Sequence, residues 1–99
     1  MQLTNFILVF LFIPIKIFAN ELLVIEQQGC IYCIKWDREI RTAYPKTSLG
    51  AFAPLKFADI NSIPDDIQLS SVPIYTPTFI LLENGMELGR VEGYSGEEM

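Results

Sequence analysis

An α/β domain is what this sequence predicts, and three observations carry the expectation. A short apolar run, Leu22-Leu23-Val24-Ile25, hands over through Gln27-Gln28-Gly29 to a stretch with helical periodicity. A second β-like run follows at residues 55–60. Two further β-rich runs, residues 78–82 and 86–91, flank Asn84-Gly85, a strong signal for a two-residue hairpin turn.

Taken in order, the chain opens on a block that does not belong to such a domain. Residues 6–15 are almost entirely apolar and are followed by Lys16-Ile17-Phe18-Ala19, with Asn20 next. The pattern predicts a signal peptide over residues 1–19, cut after Ala19, leaving a mature domain of residues 20–99 in the periplasm or otherwise exported. Residues 1–5 carry no Lys or Arg and Lys16 falls after the apolar block, which departs from the usual charge order. A spanning helix needs about 20 apolar residues, and Pro14 and Lys16 interrupt this one. Membrane attachment is therefore expected only through an uncleaved signal.

The remaining charge excludes one partner class. The chain carries 7 Lys and Arg against 12 Asp and Glu, a formal net charge of −5. Lys35, Arg38 and Arg41 are interleaved with Asp37 and Glu39, so no basic face exists for a phosphate backbone and nucleic acid is not an expected partner. The mature domain is of a size at which a single core is only marginally sufficient.

Residues 22–26 read as a strand buried on both faces. Cys33, Trp36, Ile40 and Ala43 or Tyr44 then recur at three- and four-residue spacing, with charges on the other face, and Pro45 stops this amphipathic helix. Residues 46–54 read as a connector with Gly50 and Pro54 as breakers, and residues 55–60 as a second strand. The segment 61–75 holds Pro64, Asp65-Asp66, Ser70-Ser71 and Pro73, with room for a turn or two of helix over 65–69. After the hairpin, Gly93-Tyr94-Ser95-Gly96 leads to Glu97-Glu98, which suit a helix start.

The chemistry concentrates at Gly29-Cys30-Ile31-Tyr32-Cys33. These are the only two cysteines, and they stand where the first strand gives way to the helix, a setting that reads as a redox dithiol. A structural zinc site needs four ligands, and one chain with two cysteines and no histidine cannot supply them, so no metal is expected. A purely structural disulfide between residues three apart closes too short a loop to stabilise much. On the residues alone, Pro77 in Thr76-Pro77 is equally a strand-entry proline or part of a substrate loop.

The combination of "GCIYCIKWDREI", "APLKFADI" and "TPTFILLENGMELGRVEGY" resembles the thioredoxin superfamily, over roughly residues 22–96. It is most similar to small exported bacterial thioredoxin-like proteins, some of which accompany sulfur-compound oxidation systems. The resemblance implies a thioredoxin-like fold with a central mixed sheet flanked by helices, shortened here at the last helix. It implies a thiol-disulfide oxidoreductase that needs no cofactor, with protein disulfide or thiol clients and an upstream thiol electron donor. It also implies a cis bond at Thr76-Pro77 and a site built from Cys30 and Cys33, with Ile31, Tyr32, Thr76 and Pro77 meeting the substrate.

At a helix start, unpaired N–H groups and the macrodipole favour an anion, so Cys30 is assigned as nucleophile and Cys33, one turn further in, as the resolving residue. Ile31 and Tyr32 add no positive charge. The Cys30 thiol is thus expected to be lowered only toward neutrality, the range of reducing or isomerising dithiols rather than strong oxidants.

Three departures from the family qualify this. Its buried carboxylate six residues before the nucleophile is Val24 here, its partner lysine falls at Phe57, and its tryptophan before the nucleophile is Gly29. Glu26 is the one nearby carboxylate that could take the proton of Cys33 if it points inward; a solvated strand-end residue is the alternative. Trp36 is expected in the core. A shortened end would leave Phe79, Leu81 or Val91 exposed or covered by another chain, with poor stability in isolation. A non-catalytic thioredoxin-fold binding or chaperone module is the rival reading.

Overall fold

The computed structural model describes residues 20–96; the expected signal and the residues after Gly96 lie outside them. Its elements are β1 (Asn20–Glu26), α1 (Ile31–Trp36), α2 (Ser48–Phe52), β2 (Leu55–Asp59), β3 (Thr78–Glu83) and β4 (Met86–Glu92). A π-helical turn, Asp37–Arg41, continues α1, and a 3-10 turn, Tyr44–Lys46, precedes α2.

The four strands form one sheet in the order β2-β1-β3-β4. β1 runs parallel to β2 and antiparallel to β3, and β3 is antiparallel to β4. The parallel pair needs a crossover, which the helical segment supplies; the antiparallel pair needs only the Asn84-Gly85 turn. Asn84 (φ 52°) and Gly85 (φ 81°) both lie in the left-handed region, as a primed hairpin turn demands. The mixed sheet with its flanking helices meets the expected architecture.

Side chains alternate across β1 and β3 to build two apolar layers. On one face Val24 and Phe79 pack with Trp36 and Tyr94. On the other, Leu23, Ile25, Ile80 and Leu82 pack with Ile67 from the long β2–β3 connection. β1 is covered on both faces, which explains its continuous apolar run.

The structure corrects five expectations. The connector 46–54 contains α2, whose N-cap Thr47 accepts a hydrogen bond from the Gly50 N–H at 2.9 Å. Gly50 is not a breaker: a Cβ there would collide with the backbone of Tyr44 and Pro45. No helix forms over 65–69; Gln68 bridges to Met86, and its backbone bonds Gly85 O and Glu87 N at 2.7 and 2.9 Å. The single amphipathic helix expected to run to Pro45 is instead six α-helical residues, then the π turn and the 3-10 turn. Phe79 is not left exposed: Trp36 and Tyr94 bury it, whereas Val91 does stand exposed beside an apolar groove of about 430 Å³.

Candidate functional site

Gly29 turns the chain from β1 to α1 with φ +79°, a conformation that a bulky side chain resists. Cys30 is then the N-cap of α1. Its Sγ accepts a hydrogen bond from the Cys33 backbone N–H at 3.1 Å, one of the orphan donors of the first turn. The two cysteines are joined as a disulfide, with Cα atoms 5.2 Å apart. Cys30 is partly exposed, whereas Cys33 is only 4% exposed. The asymmetry follows from position: residue 30 caps the helix and residue 33 faces inward beside the buried Trp36.

The second element arrives from 46 residues away. The Thr76-Pro77 bond is cis, and Cys30 Sγ lies 3.4 Å from the Thr76 carbonyl oxygen, an acceptor for the thiol in the reduced form. Pro77 is fully buried, and the loop is held on both sides. Thr78 Oγ1 donates to Tyr75 O at 2.6 Å, and the Gly93 N–H donates to Pro77 O at 2.7 Å. The exposed side of the site is apolar: Ile31 (76%) and Tyr32 (59%) project from α1, and Ile74 and Tyr75 are exposed just before the cis bond. Cys30, Cys33, Thr76 and Pro77 are thus gathered at one end of the sheet, with Ile31 and Tyr32 on its rim.

At the departures from the family, Val24 is fully buried among apolar neighbours and the Phe57 ring carries the Arg41 guanidinium 4.1 Å above its centre. Trp36 lies in the core, 5.3 Å from the Phe79 ring and 6.3 Å from Phe57. Glu26 does not stand free in solvent. Burial pushes its carboxyl above the ordinary carboxylate range, with Arg41 pulling the other way and Asp37 adding to the rise. It lines a cleft of about 310 Å³ together with Cys30, Cys33, Asp37 and Arg41.

A pair that sequence reading missed steadies the loop in front of Thr76. Glu87, 5% exposed, and Arg90, 13% exposed, are linked at 2.7 Å through Oε1 to Nη2 and Oε2 to Nε. Glu87 Oε1 also accepts from the Ser70 N–H at 2.9 Å, and Arg90 Nη2 donates to Ser71 O at 2.7 Å. These bonds hold the Glu87 carboxyl down at about 2. Residues three apart on a regular strand face opposite sides. A bulge, which pairs Leu81 with Gly89 but Leu82 with Glu87, brings this pair onto one face. No sequence signal betrays that bulge.

Among solved structures, the chain is similar to the periplasmic thioredoxin SoxS from Paracoccus pantotrophus in its reduced form. The two share 41% identity at a TM-score of 0.78, over 81% of this chain and 85% of that one. Comparison with protein-family models and with curated proteins gives no match.

Proposed function

Because the chain belongs to the thioredoxin family and is an exported thiol-disulfide oxidoreductase, we propose that Cys30 is its attacking thiolate and Cys33 its resolving thiol. In the reducing direction, the Cys30 thiolate attacks one sulfur of a client disulfide and expels the other as a thiolate. Cys33 then attacks Cys30 Sγ, forming the intramolecular disulfide and releasing the second client sulfur. The client gains two electrons and the dithiol loses them. No cofactor enters either step.

One observation carries this reading: a partly exposed sulfur at a helix start, with a backbone N–H 3.1 Å away and the Thr76 carbonyl 3.4 Å away. The N–H stabilises a thiolate there, and the cis loop offers the Thr76 backbone for pairing with an extended client strand. Ile31 and Tyr32 supply an apolar rim for the client's side chains. Clients are protein disulfides or sulfur-bearing protein thiols, and a separate thiol donor returns the electrons.

The absence of a cation at Ile31 and Tyr32 favours a reducing or isomerising dithiol. Equilibration of the chain in glutathione buffers tests this: the expected potential lies near about −270 mV, typical of thioredoxins, and one near about −120 mV, typical of the periplasmic oxidant, would reverse the direction. Residues 1–19 are proposed to be removed on export, so that the mature chain starts at Asn20, the first residue of β1. N-terminal sequencing of the exported protein tests that cut.

A further inference from the structure

The segment 69–76 ends on the Thr76 carbonyl beside Cys30, so whatever holds this segment sets the surface that a client meets. Its backbone has little regular structure to rest on. Among the described residues, backbone-to-backbone hydrogen bonds fix Gln68 to Gly85 and Glu87, and next fix Pro77 to Gly93, with none between. Its apolar side chains give limited packing: Pro73 is buried, but Val72, Ile74 and Tyr75 are exposed. Backbone groups outside secondary structure need other partners, and here side chains of β3 and β4 supply them.

Near the cis bond, Thr78 Oγ1 donates to Tyr75 O at 2.6 Å. At the other end the partners are Glu87 and Arg90. Glu87 Oε1 accepts from the Ser70 N–H at 2.9 Å, and Arg90 Nη2 donates to Ser71 O at 2.7 Å. The same guanidinium grips both oxygens of Glu87 at 2.7 Å, which fixes one group against the other. Glu87 stands opposite Leu82 and Arg90 opposite Ile80, so both project to the sheet face that Ile67 and Leu69 cover. Because the pair is largely withdrawn from water, its bonds to the segment are not easily exchanged for hydration.

We propose that Glu87 and Arg90 are positioning residues for client recognition. They hold Ser70 and Ser71 against β4 and thereby keep Ile74, Tyr75 and Thr76 in the form that an extended client strand pairs with. Both act through the loop, not on the reacting sulfurs. A small disulfide needs only Cys30 and Cys33, whereas a protein client also needs the ordered loop. Without the clasp, only those molecules whose loop has the competent form bind, and the apparent affinity for the client falls by that fraction. The inference rests on the reading that clients pair with the Thr76 backbone.

Two oxidants separate positioning from general damage in the full chain: insulin as a protein disulfide, with dithiothreitol regenerating the dithiol, and 5,5′-dithiobis(2-nitrobenzoate) as a small one. Rates are taken below the unfolding transition of each variant. In Arg90→Met the KM for insulin is expected to rise by about tenfold, while the rate of thionitrobenzoate release changes by less than about twofold. Arg90→Lys keeps a charge beside Glu87 but lacks the fork that also reaches Ser71 O, and should show the same selectivity with a loss of about threefold. Should Arg90→Met not fold, Arg90→Lys decides by the same criteria. An unchanged KM for insulin, or equal losses with both oxidants, would overturn the positioning role. A native chain that reacts with the small disulfide yet reduces insulin no faster than dithiothreitol alone would instead overturn the protein-client reading beneath it.

Discussion

Glu26 and Glu87 are both drawn partly out of water, and their surroundings push them in opposite directions. Glu87, on β4, is clasped by Arg90 and by the Ser70 N–H, so its charged form is favoured and its carboxyl titrates at about 2. Glu26, at the end of β1, shares its cleft with an arginine already committed to Asp37, so burial dominates and its carboxyl is pushed above the ordinary carboxylate range. The first arrangement fixes a loop; the second holds a carboxyl by burial alone, with no hydrogen bond to fix its charge. Hydrogen-bond partners, more than burial, decide which role a carboxylate can fill.

The largest effect should come from breaking the clasp. Arg90→Met leaves Glu87 buried without its partner and frees the Ser71 carbonyl, a change expected to cost about 3 kcal/mol. Thermal unfolding should fall by more than about 10 °C in a domain of this size. A shift of only a few degrees would mean that the pair is better hydrated than its 5% and 13% exposures indicate.

The pH dependence of stability sharpens the contrast. Because the folded Glu87 carboxyl is depressed from 4.5 to about 2, its contribution is complete above about pH 4.5 and is lost as the pH falls toward 2. Denaturant unfolding across that window should show a loss of roughly 3 kcal/mol that Glu87→Gln, already destabilised, does not show. Glu26 has the reverse sign: its folded carboxyl is raised, so it favours the folded state at acid pH, and that contribution disappears as the pH rises through its folded value. Glu26→Gln should accordingly raise the melting temperature at pH 7 by a small margin. A fall of several degrees would place Glu26 among the structural carboxylates with Glu87.

The smallest effect concerns the link between the strand end and the helix. Tyr94 Oη donates to Glu39 Oε1 at 2.7 Å, while the Tyr94 ring packs in one cluster with Trp36 and Phe79. Tyr94→Phe keeps the ring and removes this bond, for an expected loss of about 1 kcal/mol in denaturant unfolding.

Much of this molecule could be read from residue order because the signals were local. Leu22-Leu23-Val24-Ile25 and Asn84-Gly85 state a buried strand and a primed turn through their own backbone preferences. The two cysteines at a strand-to-helix passage announce the dithiol. What escaped depends on distant partners. Gly50 reads as a breaker until the Tyr44 backbone is seen against it, and Gln68 leaves helix because the Gly85 and Glu87 backbones offer it a ladder. Glu87 and Arg90 share a face only because of the bulge beside Leu88. Glu26 was legible as a candidate, but its setting depends on which partner Arg41 takes, and that is decided by the fold.

The most direct test of the central claim is to trap the covalent intermediate. The reduced full chain carrying Cys33→Ala, mixed with a disulfide-bonded protein and digested without reductant, is mapped by mass spectrometry. The account predicts a client peptide joined to residues containing Cys30, absent when Cys30 is also replaced. Were Cys33 in a Cys30→Ala chain the sulfur that captured the client, and Cys30 in Cys33→Ala inert, the assignment of the attacking sulfur would be contradicted.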